Sequence, residues 1–177
     1  MRVKLDDETK SALSFIDRLS DREHNPWPHD FEFSETNDDE LTEAFGYWFG
    51  GRRWATSGDT FVQFGQDGGG SMFLLWYYPD LNAPPPVVFL GSEGERCLIA
   101  TNIDDFIKQL GSGHRFSYGT WMEPLPNEID ELVRCELRRA IHEKYGLGDE
   151  PPESFAEKAR LAHPDFPRWV TSMVEYE

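Results

Sequence analysis

The stretch that most constrains this chain is Met72–Tyr78, MFLLWYY, seven apolar residues in a row. Seven are too few for a stable helix and leave no polar face, so the run predicts a central strand covered on both sides. Pro79 ends it. Before it, Phe61–Gly65 is rich in strand-forming residues, and Gln66–Ser71 holds an aspartate and three consecutive glycines, which predicts a hairpin with a longer loop. After it, Pro84, Pro85 and Pro86 cannot donate to a ladder, and they carry the chain across the surface until Val87–Leu90 re-enters the sheet. Gly91-Ser92-Glu93-Gly94 turns the chain back into Arg96–Ala100. Asn102 then offers an N-cap, with Asp104 and Asp105 in the first turn, where the helix dipole favours negative charge. Ile103, Phe106, Ile107 and Leu110 form one apolar stripe that Gly111 terminates. The middle of the chain thus reads as a meander of four strands closed by one helix.

The flanks read as mostly helical. Ala12, Leu13, Ile16 and Leu19 make a stripe over Thr9–Leu19, and the prolines and aromatics of Ser20–Asn37 predict a loop pinned to the core. Asp38 or Asp39 caps a short helix over Glu40–Phe49, Gly50-Gly51 ends it, and Arg52–Ala55 reads as a first strand. Ser112–Leu125, with Phe116, Tyr118, Trp121 and Met122 among glycines, is either an irregular cover or an edge strand. Asn127 opens a helix with Ile129, Leu132, Val133, Leu137, Ala140 and Ile141 facing inward, and Gly146 closes it. Ser154 and Glu157 form a capping-box pattern that starts Phe155–Ala162, stopped by His163-Pro164. Phe166–Tyr176 is a last short helix, with Pro167 tolerated in its first turn. The sum is an α+β fold: a mixed, mainly antiparallel sheet of about five or six strands with N- and C-terminal helices packed on it.

At 177 residues the chain suits one domain over 1–177, long enough to bury roughly 70% of its unfolded surface. Lys plus Arg number 17 against 33 Asp plus Glu, a formal charge of −16, which disfavours direct nucleic-acid binding. The same charge serves either solubility or an acidic face for a basic partner. MRVKLDDETK turns acidic where a secretory signal needs its apolar segment, and no run approaches a transmembrane length, so a cytoplasmic location with no membrane contact is expected. Cys97 and Cys135 sit in no CxxC or Cys/His cluster and read as small buried hydrophobes.

Signals for chemistry are weak. The glycines of Gln66–Ser71 invite a phosphate reading, but no Lys-Ser or Lys-Thr follows and the next element is a strand, so a structural hairpin loop is favoured. Gly91-Ser92-Glu93-Gly94 lacks the spacing of a nucleophile elbow. His24, His29, His114, His142 and His163 form no HExxH and no i, i+4 pair, so no metal or other cofactor is expected. Asp67 with Asp80, or Glu93 with Glu95, offers paired carboxylates, but proximity in turns supplies neither the separation nor the contrasting environments that acid/base work needs. No nucleophile emerges, and no catalytic residue is expected. The aromatic residues are mostly core, although Trp76-Tyr77-Tyr78 and Tyr118-Gly119-Thr120-Trp121 stand at strand ends or in loops where rings beside acids make an interface.

Three segments, FGQDGGGSMFLL, PPVVFLGSEGE and LIATNIDDFIKQL, together resemble the SUKH superfamily, the Smi- and Knr-like domains found as bacterial immunity proteins and fungal cell-wall regulators. The resemblance covers about the middle third of the chain. Relatives of this type carry a polar or acidic residue near Trp76, where this chain departs. The resemblance implies a non-catalytic protein-binding domain that neutralises a cognate basic toxin, possibly a nuclease, inside the producing cell. An intracellular scaffold or regulatory Smi/Knr-like module is the alternative, and an unrecognised hydrolase the third reading. Charge and resemblance together nominate Asp38, Asp39, Glu40, Glu43, Glu93, Glu95, Glu123 and Glu128 for long-range attraction and Trp121 for a short-range anchor.

Overall fold

The computed structural model describes residues 5–20, 31–35, 45, 48–49, 57–129, 135–146 and 150–174. The described fold is α+β. Its five-stranded sheet runs in the order β1 (Glu32–Phe33), β2 (Thr60–Gln66), β3 (Met72–Tyr77), β4 (Val87–Leu90) and β5 (Arg96–Ala100). All four pairings are antiparallel. Helices α1 (Asp7–Ser20), α2 (Ile103–Gly111), α3 (Glu136–Tyr145), α4 (Pro152–Ala162) and α5 (Phe166–Val174) surround it. A separate hairpin pairs β6 (Arg115–Ser117) with β7 (Thr120–Met122).

The apolar run becomes the central strand β3, as its composition dictates. Successive side chains point to opposite faces of a strand, so an uninterrupted apolar run demands cover on both. Phe73 and Leu75 join one core with α1, α2, α3 and the β6–β7 hairpin, through Ile16, Phe106, Ile141 and Phe116. Leu74 and Trp76 join a second core on the other face, with Phe45, Phe49, Ala159 of α4, and Phe166 and Met173 of α5. Buried Gln109 ties the layers together: its Nε2 donates to the Ile99 carbonyl at 2.6 Å and to the Pro152 carbonyl at 2.9 Å.

Several local expectations change. The segment read wholly as a loop supplies β1, whose neighbour Phe31 lies so close over Gly65 that any Cβ there would overlap the ring. Gly111 stays helical rather than stopping α2; Arg138 Nε donates to its carbonyl at 3.1 Å and His142 Nε2 lies 3.2 Å from it, so side chains satisfy the helix end. The left-handed glycine falls at Gly113, with φ 80°. The helix expected from Asn127 to Gly146 is not continuous: Asn127 lies in a turn, Ile129 is helical but 49% exposed, 130–134 lie outside the described residues, and Cys135 is extended at φ −64° and ψ 113° before α3 begins at Glu136. Its end is as expected, with Gly146 left-handed at φ 58°. Ser154 builds no capping box; α4 starts earlier, with Pro152 in its first turn, and Ser154 Oγ donates to Glu150 instead. Ser112–Leu125 resolves into the β6–β7 hairpin, an element of its own rather than an edge of the main sheet. Cys135 is buried, whereas Cys97 is only partly so. The expected Arg52–Ala55 strand and most of the Glu40–Phe49 helix lie outside the described residues. Among the described residues no helix is long and apolar enough to cross a membrane.

Candidate functional site

Three turns meet at one end of the sheet, and each is shaped by its own sequence. In the β2–β3 loop, Asp67 Oδ1 accepts the backbone N–H groups of Gly69 at 2.9 Å and Ser71 at 2.8 Å. The chain's own carboxylate therefore occupies the amides that a bound phosphate would need, and Gly70 at φ 87° completes the reversal. In the β4–β5 turn, the Gly91 N–H donates to the Glu95 carbonyl and the Gly94 N–H to the Gly91 carbonyl, each at 2.9 Å. Ser92 N–H donates to Ser71 Oγ at 3.1 Å, which locks the two turns together. The β6–β7 tip holds Tyr118 at φ 50° and Gly119 at φ 76°, and a Cβ on Gly119 would press on Cys97 Sγ.

Between these turns lies a cleft of about 380 Å³. Asp67, Ser71, Ser92, Glu95, Tyr118 and Met122 line it, together with the core rings Phe73, Phe89 and Phe116. Glu95 folds back over Gly91, where even a methyl group would overlap its carboxylate. Its Oε2 is buried and accepts no hydrogen bond. The nearest cation in sequence, Arg96, points the other way: Nε and Nη2 donate to the Trp48 carbonyl at 3.0 and 2.8 Å, and Nη1 to the Gly94 carbonyl at 3.1 Å. The Glu95 charge reaches its neighbour Cys97, whose thiol is pushed up by burial first and by Glu95 second. A buried carboxylate oxygen without a donor is unfavourable.

The nominated residues divide. Glu93 is exposed in the same turn as Glu95, so those two belong to one surface with Asp67. Glu123 lines a different cleft of about 530 Å³ with His114, Arg138 and His142, and lies 3.3 Å from His114 Nε2. Glu128 Oε2 accepts the Leu125 N–H at 2.7 Å, a turn-closing bond. Trp121 does not stand out as an anchor: it is 8% exposed and its ring packs 4.9 Å from Phe116, because the register that sets it opposite Phe116 turns both inward. The exposed ring of that hairpin is Tyr118, at 73%. Asp38, Asp39, Glu40 and Glu43 lie outside the described residues.

Sequence reasoning missed the share of Asp67 and Ser71 in the cleft. The available signal was an aspartate two and four residues ahead of the amides it binds, in a glycine-rich turn. Among the described residues no group of three His, Cys, Asp or Glu is placed to hold a metal ion. No family model matches the chain, and no curated protein or solved structure matches it.

Proposed function

We propose that this chain is a non-catalytic protein-binding domain of SUKH-like type, acting in the cytoplasm, whose acidic cleft receives a cationic side chain of a basic protein partner. The observation that carries the reading is the Glu95 carboxylate, one oxygen buried and without a donor, facing a cleft that also holds Asp67 and the exposed Tyr118 ring. A lysine or arginine entering there gains a charge-assisted hydrogen bond to the carboxylate that lines it. Tyrosine beside the acids supplies rigid apolar area of the kind that anchors interfaces. The net charge of −16 adds long-range attraction for a basic surface. The resemblance in the central segments directs the role toward immunity, in which the partner is a toxin blocked inside its producer.

The test begins with a partner captured from the source cell, identified by mass spectrometry and purified. Glu93→Gln and Glu95→Gln are expected to slow association, with the difference nearly gone at 1 M salt, where the Debye length falls from about 10 Å to about 3 Å. Tyr118→Ala is expected to speed dissociation, since packing acts on lifetime. Cells expressing the partner are expected to survive when this chain is co-expressed. An association rate indifferent to salt and to both acids sinks the acidic cleft, and a partner without toxicity moves the role to scaffolding.

A further inference from the structure

We propose that a second cleft, between the end of β3 and α5, is a socket for an arginine side chain of a protein partner. It lies on the opposite face of the sheet from Glu95, since Trp76 belongs to the second core and Phe73 to the first.

The socket is aromatic and carries a fixed carboxylate. Its volume is about 380 Å³, and its lining includes Trp76, Tyr78, Phe166, Trp169 and Asp59. Around Trp76 the centroids of Tyr78, Trp169 and Phe166 stand at 4.6, 5.0 and 5.2 Å. Trp76 and Phe166 are buried and form the base, while Tyr78 and Trp169 are partly exposed and face the opening. Asp59 sits between the two indoles: Oδ1 accepts Trp76 Nε1–H at 2.7 Å and Oδ2 accepts Trp169 Nε1–H at 2.9 Å. Two neutral donors orient this carboxylate without cancelling its charge, and no lysine, arginine or histidine pairs with it among the described residues. Each indole that donates to an anion also becomes more electron-rich at its face, which strengthens its attraction for a cation.

The surroundings favour a cation over an anion. Asp165 lines the same cleft and is exposed, adding a second negative charge toward solvent. His163, also in the lining, has Nδ1 3.0 Å from the Tyr78 hydroxyl. Burial lowers its pKa, so near neutrality it contributes no opposing charge. Guanidinium suits such a site because it stacks on aromatic faces and is weakly hydrated for its charge. A side chain on a protein, instead of a free small cation, is favoured by the net charge of −16, which attracts a basic protein surface as a whole. This inference shares with the proposed function only the premise of a basic partner, and the two sites can fail separately.

Nuclear magnetic resonance of the indole N–H groups tests it on the intact chain. Six tryptophans give six such signals, and Trp76→Phe and Trp169→Phe assign the two that matter. Titration with Nα-acetylarginine amide is expected to shift these two signals saturably in the millimolar range. Nα-acetylcitrulline amide, the neutral counterpart, is expected to bind at least about tenfold more weakly. Asp59→Asn is expected to lower the affinity by a similar factor, and Asp165→Asn by less. Glu95→Gln is expected to leave the titration unchanged, which separates this socket from the acidic cleft. An absence of saturable shifts in the wild-type chain, or an equal response to citrulline, overturns the proposal without recourse to any variant. Tighter binding of tetramethylammonium than of the arginine probe also overturns it, by assigning the cleft to free quaternary ammonium compounds.

Discussion

The two faces of the central sheet are built from one strand but solve different problems. On the face of Phe73 and Leu75, the rings of Phe31, Phe64, Phe89, Phe106 and Phe116 pack edge-on or tilted, with neighbouring centroids 4.8 to 6.3 Å apart, and carry no polar atom. On the face of Leu74 and Trp76, the rings surround a carboxylate, and the two indoles are held by Asp59. The ring cluster of the first face is held by shape and surface area, with its hydrogen bonds at the periphery, as from Tyr145 to Asp104 and from Arg138 to the Gly111 carbonyl. The second face fixes ring orientation through hydrogen bonds that reach between residues 110 positions apart, which leaves a shaped cleft where a fully apolar contact would have closed.

The largest effect asks whether both faces are indispensable. Leu74 and Leu75 are both fully buried and point to opposite cores. An unpaired buried charge costs several kcal/mol, a large part of the ~5–15 kcal/mol that holds a domain together. Leu74→Asp and Leu75→Asp are each expected to abolish the cooperative thermal transition. A variant that still melts within a few degrees of wild type would show that its face is not a core.

The next contrast lies within the β6–β7 hairpin. Trp121→Ala removes a buried ring and is expected to cost about 3–5 kcal/mol in urea denaturation, as large-to-small changes of aromatic residues do. Tyr118→Ala is expected to stay within about 0.5 kcal/mol, because its ring is mostly exposed. Similar losses from both would erase the distinction between a core ring and a contact ring.

Much of this architecture was legible in the sequence, and the reason differs from element to element. Val87–Leu90 and Arg96–Ala100 match the strands residue for residue, because prolines and glycines bracket them and leave no other register. Asn102 caps α2 as its type predicts, accepting the Asp105 N–H at 2.9 Å. Where reading failed, the signal was periodic but not local. The stripe from Ile129 to Ile141 reports which side chains suit a core and says nothing about whether the backbone continues through Cys135. Trp121 and Tyr118 are three residues apart in a turn, and only the pairing register decides which faces inward. The acidic cleft and the aromatic socket join loops and helices distant in the chain, so their residues were visible one by one and their grouping was not.

A smaller effect is expected at Asp59. Asp59→Ala strands two indole N–H groups, each worth about 1–3 kcal/mol when left unpaired in the interior, with part of the loss recovered by water because Trp169 is partly exposed. About 2 kcal/mol is the expected total by urea denaturation. Asp59→Asn, which keeps one acceptor, is expected to lose less. A negligible loss for Asp59→Ala would show that ring packing alone sets the second face and that the carboxylate is idle in stability.

The smallest effect separates the faces by pH. His163, which packs against Tyr78 beside the second core, is the buried histidine among the described residues. Burial lowers its pKa from the ordinary 6.5, so the unfolded chain takes up a proton there more readily than the folded one. Above the unfolded value both states are neutral and the group adds no pH dependence. As pH falls below it, the unfolded state gains the proton first, and stability declines until the folded value is also passed. Carboxylates titrate lower in the range and affect both faces, so the informative quantity is the difference between wild type and His163→Gln, which retains a partner for the Tyr78 hydroxyl. That difference is expected to shift against wild type as pH falls through the ordinary histidine value of 6.5 toward the lowered folded one, as measured by urea midpoints at each pH across this window. Once the folded value is passed the histidine is charged beside the aromatic cleft, and both its ring nitrogens are then donors, Nδ1 lying 3.0 Å from the Tyr78 hydroxyl. A difference constant across the window would mean that His163 is protonated as easily in the folded chain as in the unfolded one, and that the second face is open to water at that point.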